Sequence, residues 1–379
     1  MLKKFKVKNF KKFKDELEFD FDNIKNYQFN TEVIDNGLVN VALVYGSNGS
    51  GKSNLGFAIF DIILHTTENV KKLIFYKNYL YGNGSLSGYA EFTYEFKFGN
   101  DSVIYRYIKE DWNRLIEEEL IVNSRSVLYK SRLNGIIYLK IPEAATLQYY
   151  GILKQELSFL KYVLNNTVFA KDSVYIKLQD FLNSMLWFRS VENNSFMGYR
   201  IANDRIVDIV LAGNEKEVDK EENLREFEEF LAEAGLNLKL RIKNIDGEDR
   251  IRLVVDAENG KDGDIDFWDV ASSGTKAFMV FYCWYKQLDN VKFVFIDEFD
   301  AFYHYKLSKF IIKKLKEKKG IQAVLTTHST NLMDNELLRP DAYFILKDNK
   351  IKSLPELTEK EIREAHNIEK MFKAGAFDE

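Results

Sequence analysis

The stretch that most constrains this chain is Val39–Ser53, VNVALVYGSNGSGKS. Val39–Tyr45 is a continuous apolar run, the pattern of a strand buried on both faces of a sheet. It leads directly into Gly46-Ser47-Asn48-Gly49-Ser50-Gly51-Lys52-Ser53, which satisfies G-x-x-x-x-G-K-[ST]. Asn54–Leu64 then reads as a helix. Strand, glycine-rich turn and helix in that order predict an α/β domain with an anion site at the turn. Glycines let successive backbone N–H groups point inward at phosphate oxygens, and the helix N-terminus adds partial positive charge. Lys52 is expected to reach the terminal phosphates, and the Ser53 hydroxyl to ligate a Mg²⁺ ion. Gly46 through Asn54 make up the expected cradle.

Composition narrows the class. With 46% hydrophobic and 30% charged residues over 379 positions, the chain can bury a sizeable core. That length allows two or three domains, or one carrying a large insertion. Lys and Arg number 54 against 58 Asp and Glu, a net charge of −4, so a protein that coats nucleic acid is excluded and any DNA contact must be local. Cys283 is the only cysteine, which excludes a disulfide framework and fits a reducing cytosol. The longest apolar run, Ala277–Tyr285, is far short of a membrane span. The basic N-terminus never opens into the apolar region of a secretory signal. A cytoplasmic protein with no membrane partner is expected.

Along the chain, FKVKNFKKF reads as an edge strand, its lysines alternating with Phe5 and Val7. Tyr89–Ile108 has period two with a break at Gly99–Asp101, a hairpin pattern. Residues 143–187 carry helical spacing, Lys216–Glu233 is a charged amphipathic helix, and Leu238–Ile242 and Arg250–Val255 flank a turn. After Asp262 the α/β pattern returns. Helices are expected at Gly274–Leu288 and Tyr305–Lys318, and strands at Val291–Ile296, Gln322–Thr326 and Ala342–Leu346. Thr358-x-x-Glu361 has the spacing of a capping box opening a last helix, with Gly375 as its stop. Three parts are expected: 1–111 and 263–379 as halves of one core, and 112–262 as a mainly helical insertion with a hairpin. The aromatic residues Phe159, Tyr162, Trp187 and Phe188 suit either a docking lid or core packing.

Three further motifs carry chemistry. Phe293–Glu298, FVFIDE, is an apolar strand ending in two carboxylates. Asp297 is expected to hold the Mg²⁺ shell and Glu298 to act as general base on the attacking water. Ser272-Ser273-Gly274-Thr275-Lys276 opens a helix, which makes it a second anion site. Thr326-Thr327-His328-Ser329 lies just past a strand.

Their order is that of the ABC-type ATPase cassette, and the chain resembles its soluble branch, the RecF/SMC-like and OLD-like ATPases. More narrowly it resembles the stand-alone AAA family ATPases of bacterial anti-phage systems such as PARIS and Septu. The residues that carry the likeness are FKVKNFKKF, YGSNGSGKSN, SSGTKAF, FVFIDEFDAFYH, LTTHSTNLMDNELLRPDAYFIL and EIREAHNIEKMFKAGAF. The resemblance implies a P-loop NTPase fold of the ABC type, with a mixed central sheet flanked by helices, an antiparallel β lobe and a helical insertion. It implies ATP and Mg²⁺ as cofactors. Ser273 and Gly274 would meet the γ-phosphate held by a second subunit, Asp300 would lie at the dimer seam, and His328 would touch the γ-phosphate. Thr275-Lys276 departs from the transporter-type signature. A glutamine for the Q-loop is left unassigned among Gln148, Gln155 and Gln179.

A γ-phosphate held by one lysine, one metal and one loop still needs charge stabilisation on its open side. No motif supplies an arginine finger from the same chain, so a head-to-tail homodimer around two nucleotides is expected, with ATP favouring the closed pair. The likeness implies a regulatory ATPase whose state controls a separate effector, a nuclease, and a phage-derived or DNA trigger. About fifty residues follow His328, fewer than a typical ~100-residue catalytic domain, so the effector is expected in trans. The alternative is a RecF-like DNA repair ATPase. Its phosphate contacts would be Lys3, Lys4, Lys6, Lys8, Lys11, Lys12, Lys14 and Lys313–Lys319.

Overall fold

A computed structural model describes residues 1–67, 77–84, 88–189, 195–198, 219–256 and 262–378. The chain opens with β1 (Leu2–Lys8) and β2 (Leu17–Asp20), then a short pair, β3 (Ile34–Asp35) and β4 (Leu38–Val39). The apolar run becomes β5 (Val41–Tyr45), buried along its whole length. Helices α1 (Lys52–Ile59) and α2 (Ile63–Thr66) follow it. Next comes an antiparallel run: β6 (Ala90–Phe98), β7 (Asp101–Lys109), β8 (Leu115–Val122), β9 (Arg125–Ser131) and β10 (Ile136–Leu139). Helices α3 (Phe159–Asn166) and α4 (Val174–Asn183) lead to β11 (Met185–Arg189) and β12 (Ser195–Gly198). Beyond α5 (Lys220–Glu233) lie β13 (Leu240–Ile245), β14 (Glu248–Asp256), β15 (Asp262–Asp266) and α6 (Phe267–Val270). The last part runs α7 (Ser273–Gln287), β16 (Phe293–Asp297), α8 (Tyr305–Glu317), β17 (Gln322–Thr327), β18 (Tyr343–Lys347), β19 (Lys350–Ser353) and α9 (Ile368–Lys373).

Two seven-stranded sheets organise the chain. The nucleotide sheet has the order β12-β11-β16-β17-β5-β18-β19. Its five inner strands are mutually parallel, and β12 and β19 are antiparallel edges. The other sheet, β10-β9-β8-β7-β6-β1-β2, is antiparallel throughout. Because β5, β16 and β17 are parallel neighbours, their carboxyl ends share one edge, where ligands of open α/β sheets bind. The register pairs Thr327 with Tyr45 and Ile296 with Leu325, so the turns after all three strands emerge side by side.

Buried polar residues fasten the two sheets. The Gln322 side chain, wholly buried on β17, accepts from the Leu2 backbone N–H and donates to the carbonyls of Leu2 and Val39. The α1 helix packs flat on the nucleotide sheet at Gly56, where an added Cβ would lie 2.7 Å from Phe295 and 2.9 Å from Trp187. Below α1, Asp61 accepts from Lys109 Nζ at 2.7 Å, Tyr107 Oη at 2.9 Å and Tyr79 Oη at 2.8 Å. That network ties the end of the phosphate-loop helix to the antiparallel sheet.

Several expectations are revised. The first strand is not at an edge: β1 lies between β2 and β6, and its lysines face acidic neighbours. Lys4 pairs with Glu18 and Asp20, Lys6 with Glu16 and Glu18, Lys8 with Glu91, and Lys3 with Asp22. The boundary at 111/112 falls inside the antiparallel sheet, because β8, β9 and β10 extend it. Likewise β11 belongs to the nucleotide sheet, paired in parallel with β16. Of the two readings left open for the aromatic residues, core packing holds for Phe159, Trp187 and Phe188, which are buried. The helix expected over Asn54–Leu64 ends at Ile59, and α2 restarts it. Asn367 caps the last helix instead of Thr358, and the capping box forms at Ser353 and Glu356. Gly375 at φ 79° does end that helix. The start of the charged helix, Lys216–Val218, lies outside the described residues.

Candidate nucleotide site

The loop after β5 folds on itself through the Ser50 N–H to Ser47 carbonyl bond. Gly51, at φ 111°, turns the chain into α1, in a backbone region that side chains with a Cβ avoid. Ser47, Asn48 and Gly49 face solvent, and Ser53 and Asn54 are half-buried in the first turn of α1. Lys52 is buried, its ammonium donating to the carbonyls of Gly46 at 2.7 Å and Ser47 at 3.2 Å. Burial lowers its pKa, and the carboxylates of Glu298, Asp297 and Asp300 oppose the shift. The phosphate loop and the acidic turn are therefore one electrostatic unit.

Thr326 fixes the acidic turn. Its Oγ1 donates to Asp297 Oδ1 at 2.7 Å and accepts the Glu298 N–H at 2.8 Å. Asp297 is buried, whereas Glu298 is half-buried with its backbone in the left-handed region at φ 49°. Such a conformation costs a non-glycine residue about 1–2 kcal/mol, and strain of this kind clusters at functional sites. His328 is exposed just beyond the buried end of β17. Asp300, expected at a dimer seam, is held within its own chain by the end of β17. Its Oδ2 accepts from Thr327 of its own chain at 2.7 Å, and its Oδ1 is buried.

Ser272 caps α7, its Oγ accepting the Thr275 N–H at 3.1 Å, and both Ser272 and Ser273 are exposed. No hydrogen bond among the described residues joins them to the phosphate loop of the same chain. Gly274 packs against the Phe302 carbonyl, and the Tyr303 hydroxyl donates to the Ala277 carbonyl, so the chain after the acidic turn is held against the start of α7. Around it Trp268, Val270, Phe302 and Tyr305 are 40–46% exposed. Gln148 and Gln155 are exposed in the approach to α3, and Gln179 donates to Asn165.

The donor set fits a Mg²⁺–nucleotide site. One hydroxyl (Ser53) and one buried carboxylate (Asp297) beside the lysine match an ion that keeps waters and takes its other ligands from phosphates. Among the described residues no group of three or more His, Cys, Asp or Glu could hold a metal without such help.

Two residues read from the sequence as DNA contacts under the alternative lie beside the phosphate loop. Lys12 Nζ donates to the Gly49 carbonyl, and Lys11 sits 4.9 Å from the Phe57 ring centroid. Both line a 740 Å³ cavity with Asn54, Lys77, Asn78, Leu80 and Tyr81. Burial pushes the Lys11 ammonium down to about 8. The strand reading of FKVKNFKKF places Lys11 and Lys12 inside a strand, whereas β1 ends at Lys8 and leaves both in the turn that follows. Of the lysines over 313–319, Lys314, Lys316 and Lys318 are ion-paired with Glu233, Glu32 and Asp289.

The strand order and the phosphate loop define a P-loop NTPase fold, with an antiparallel sheet beside a mixed central sheet flanked by helices. The chain belongs to the family described as "AAA domain, putative AbiEii toxin, Type IV TA system", which matches residues 41–334. Among solved structures it is similar to the SMC head domain from Thermotoga maritima, at 14% identity and a TM-score of 0.43, covering 93% of this chain and 97% of that one. It is also similar to an SMC head bound to the C-winged helix domain of ScpA, at 17% identity and a TM-score of 0.45, covering 93% and 96%. A third is an SMC head with an extended coiled coil bound to the C-terminal domain of ScpA derived from Pyrococcus furiosus, at 15%, 0.44 and 98% of both chains. No curated protein matches. Among the described residues no helix is long and apolar enough to cross a membrane.

Proposed function

We propose that this chain binds and hydrolyses ATP, and that two copies close head to tail around the nucleotides to do so. Gly46 through Asn54 cradle the phosphates, and Lys52 leaves the Gly46 and Ser47 carbonyls for the β- and γ-phosphates. Ser53 and Asp297 would hold Mg²⁺, which neutralises phosphate charge when bound. Glu298 takes a proton from water as its oxygen attacks the γ-phosphorus and the bond to the β-phosphate oxygen breaks. His328 faces the γ-phosphate. Ser272, Ser273 and Gly274 of the second copy donate to its open side.

The observation that carries this reading is the buried Lys52 ammonium under the field of Asp297, Glu298 and Asp300. The apolar rim of Trp268, Val270, Phe302 and Tyr305 supports closure of two copies at Ser273, since exposed patches of this kind mark interaction surfaces. The cycle serves as a regulatory switch for a separate effector, a nuclease, in defence against phage. The family and the motif likeness support that role.

Activity is tested by ATPase assay and nucleotide binding. Lys52→Ala abolishes binding, whereas Glu298→Gln binds ATP and does not turn it over. Wild-type turnover by Glu298→Gln would defeat the base assignment. The regulatory role predicts co-purification with the product of a neighbouring gene. DNA-stimulated, salt-sensitive turnover would instead favour a DNA-repair ATPase.

A further inference from the structure

Two consecutive threonines at the end of β17 stitch the acidic turn to the histidine turn, and they divide the work. Thr326 engages Asp297 and the backbone of Glu298. Thr327 engages Asp300 instead: its Oγ1 donates to Asp300 Oδ2 at 2.7 Å and accepts the Ser329 N–H at 2.9 Å. Ser329 directly follows His328. The wholly buried Thr327 hydroxyl therefore has both its donor and an acceptor position committed, one on each side of the site. Asp300 is half-buried, and its Oδ1 is buried with no hydrogen-bond partner among the described residues. A carboxylate kept partly desolvated for one short bond is costly unless that bond has a use.

We propose that Asp300 is a positioning residue for hydrolysis: acting through Thr327, it sets the turn that aims His328 at the γ-phosphate. This rests on the ATPase reading and adds a role within one subunit. Asp300→Ala and Thr327→Val should each lower kcat about 10- to 100-fold, the scale of a displaced catalytic group, with KM for ATP within about 3-fold. Thr327→Ser, which keeps the hydroxyl, should restore turnover to within about 3-fold of wild type. In a Glu298→Gln background, Asp300→Ala should leave ATP-dependent dimerisation intact. If Thr327→Val does not fold, Asp300→Ala carries the test, because it removes a half-buried carboxylate with an unpaired oxygen. Unchanged kcat in Asp300→Ala, or loss of ATP-dependent dimers in that variant, would overturn the proposal. An inactive wild type would instead overturn the ATPase reading.

Discussion

The Asp61–Lys109 pair gives a prediction whose size can be worked out. Both side chains are 0% exposed and 2.7 Å apart, and Asp61 also accepts from Tyr79 and Tyr107. Lys109→Met would leave a buried carboxylate with two phenol donors and no cation. Breaking a buried pair from one side costs about 3–5 kcal/mol, a large share of a typical ~5–15 kcal/mol total. Asp61→Asn should cost a similar amount. The double variant, with both charges gone, should recover at least half of the summed loss. Urea titration followed by tryptophan fluorescence reads this locally, because Trp187 lies 4.5 Å from Phe57 of α1. Burial also pulls the Lys109 ammonium below its ordinary 10.5. Between that lowered value and 10.5 the unfolded chain binds more protons, so wild-type stability gains from rising pH there. Lys109→Met should lose the gain. Since α1 begins with Lys52, the single variants should also weaken ATP binding. Single costs below about 1 kcal/mol, adding simply in the double, would mean that Asp61 and Lys109 are not a desolvated, coupled pair.

Three further outcomes follow from local geometry. Glu298→Gly should remove the left-handed strain, worth about 1–2 kcal/mol, against about 0.4–1 kcal/mol of added unfolded-state entropy, so its melting temperature should rise while hydrolysis is lost. A clear fall in melting temperature would contradict the strain. Gly56→Ala forces a methyl into two rigid rings, at about 1–3 kcal/mol against about 1 kcal/mol gained in helix propensity, so thermal denaturation should show a lower midpoint. A higher midpoint would mean α1 is not seated as described. Lys11, at about 8, is charged at neutral pH and loses its proton as pH rises through that value. ATP affinity should weaken between pH 7 and 9 by equilibrium binding, and Lys11→Gln should flatten that part of the profile. A wild-type affinity that does not change over this interval would remove Lys11 from the site.

What the sequence made legible follows from how far apart the deciding residues lie. The β5 run, the glycine turn and the β6–β7 hairpin are local patterns, and each forms where its spacing predicts. The acidic strand end and the histidine turn were also readable, because a parallel strand buried on both faces has an unbroken apolar run before its functional end. Neighbours were not readable. Alternating lysines in β1 look solvated until Glu18 and Asp20 are placed across from them. Met185–Arg189 looks like part of a helical stretch until β16 pairs with it. Asp300 depends on Thr327, and Lys12 on Gly49 at the far end of β5, so neither role can be drawn from spacing. Thr358 had the right capping pattern, but Asn367 supplied the cap next to the residues that α9 buries.

Closure of two copies over ATP is tested most directly by sedimentation velocity of the Glu298→Gln protein across a dilution series, with Mg²⁺ and either ATP or ADP. Expected are dimers with ATP that persist on dilution, single chains with ADP, and no dimer with ATP when Ser273→Arg is added. Single chains that bind ATP at every concentration, together with wild-type turnover per chain that does not change on dilution, would contradict it.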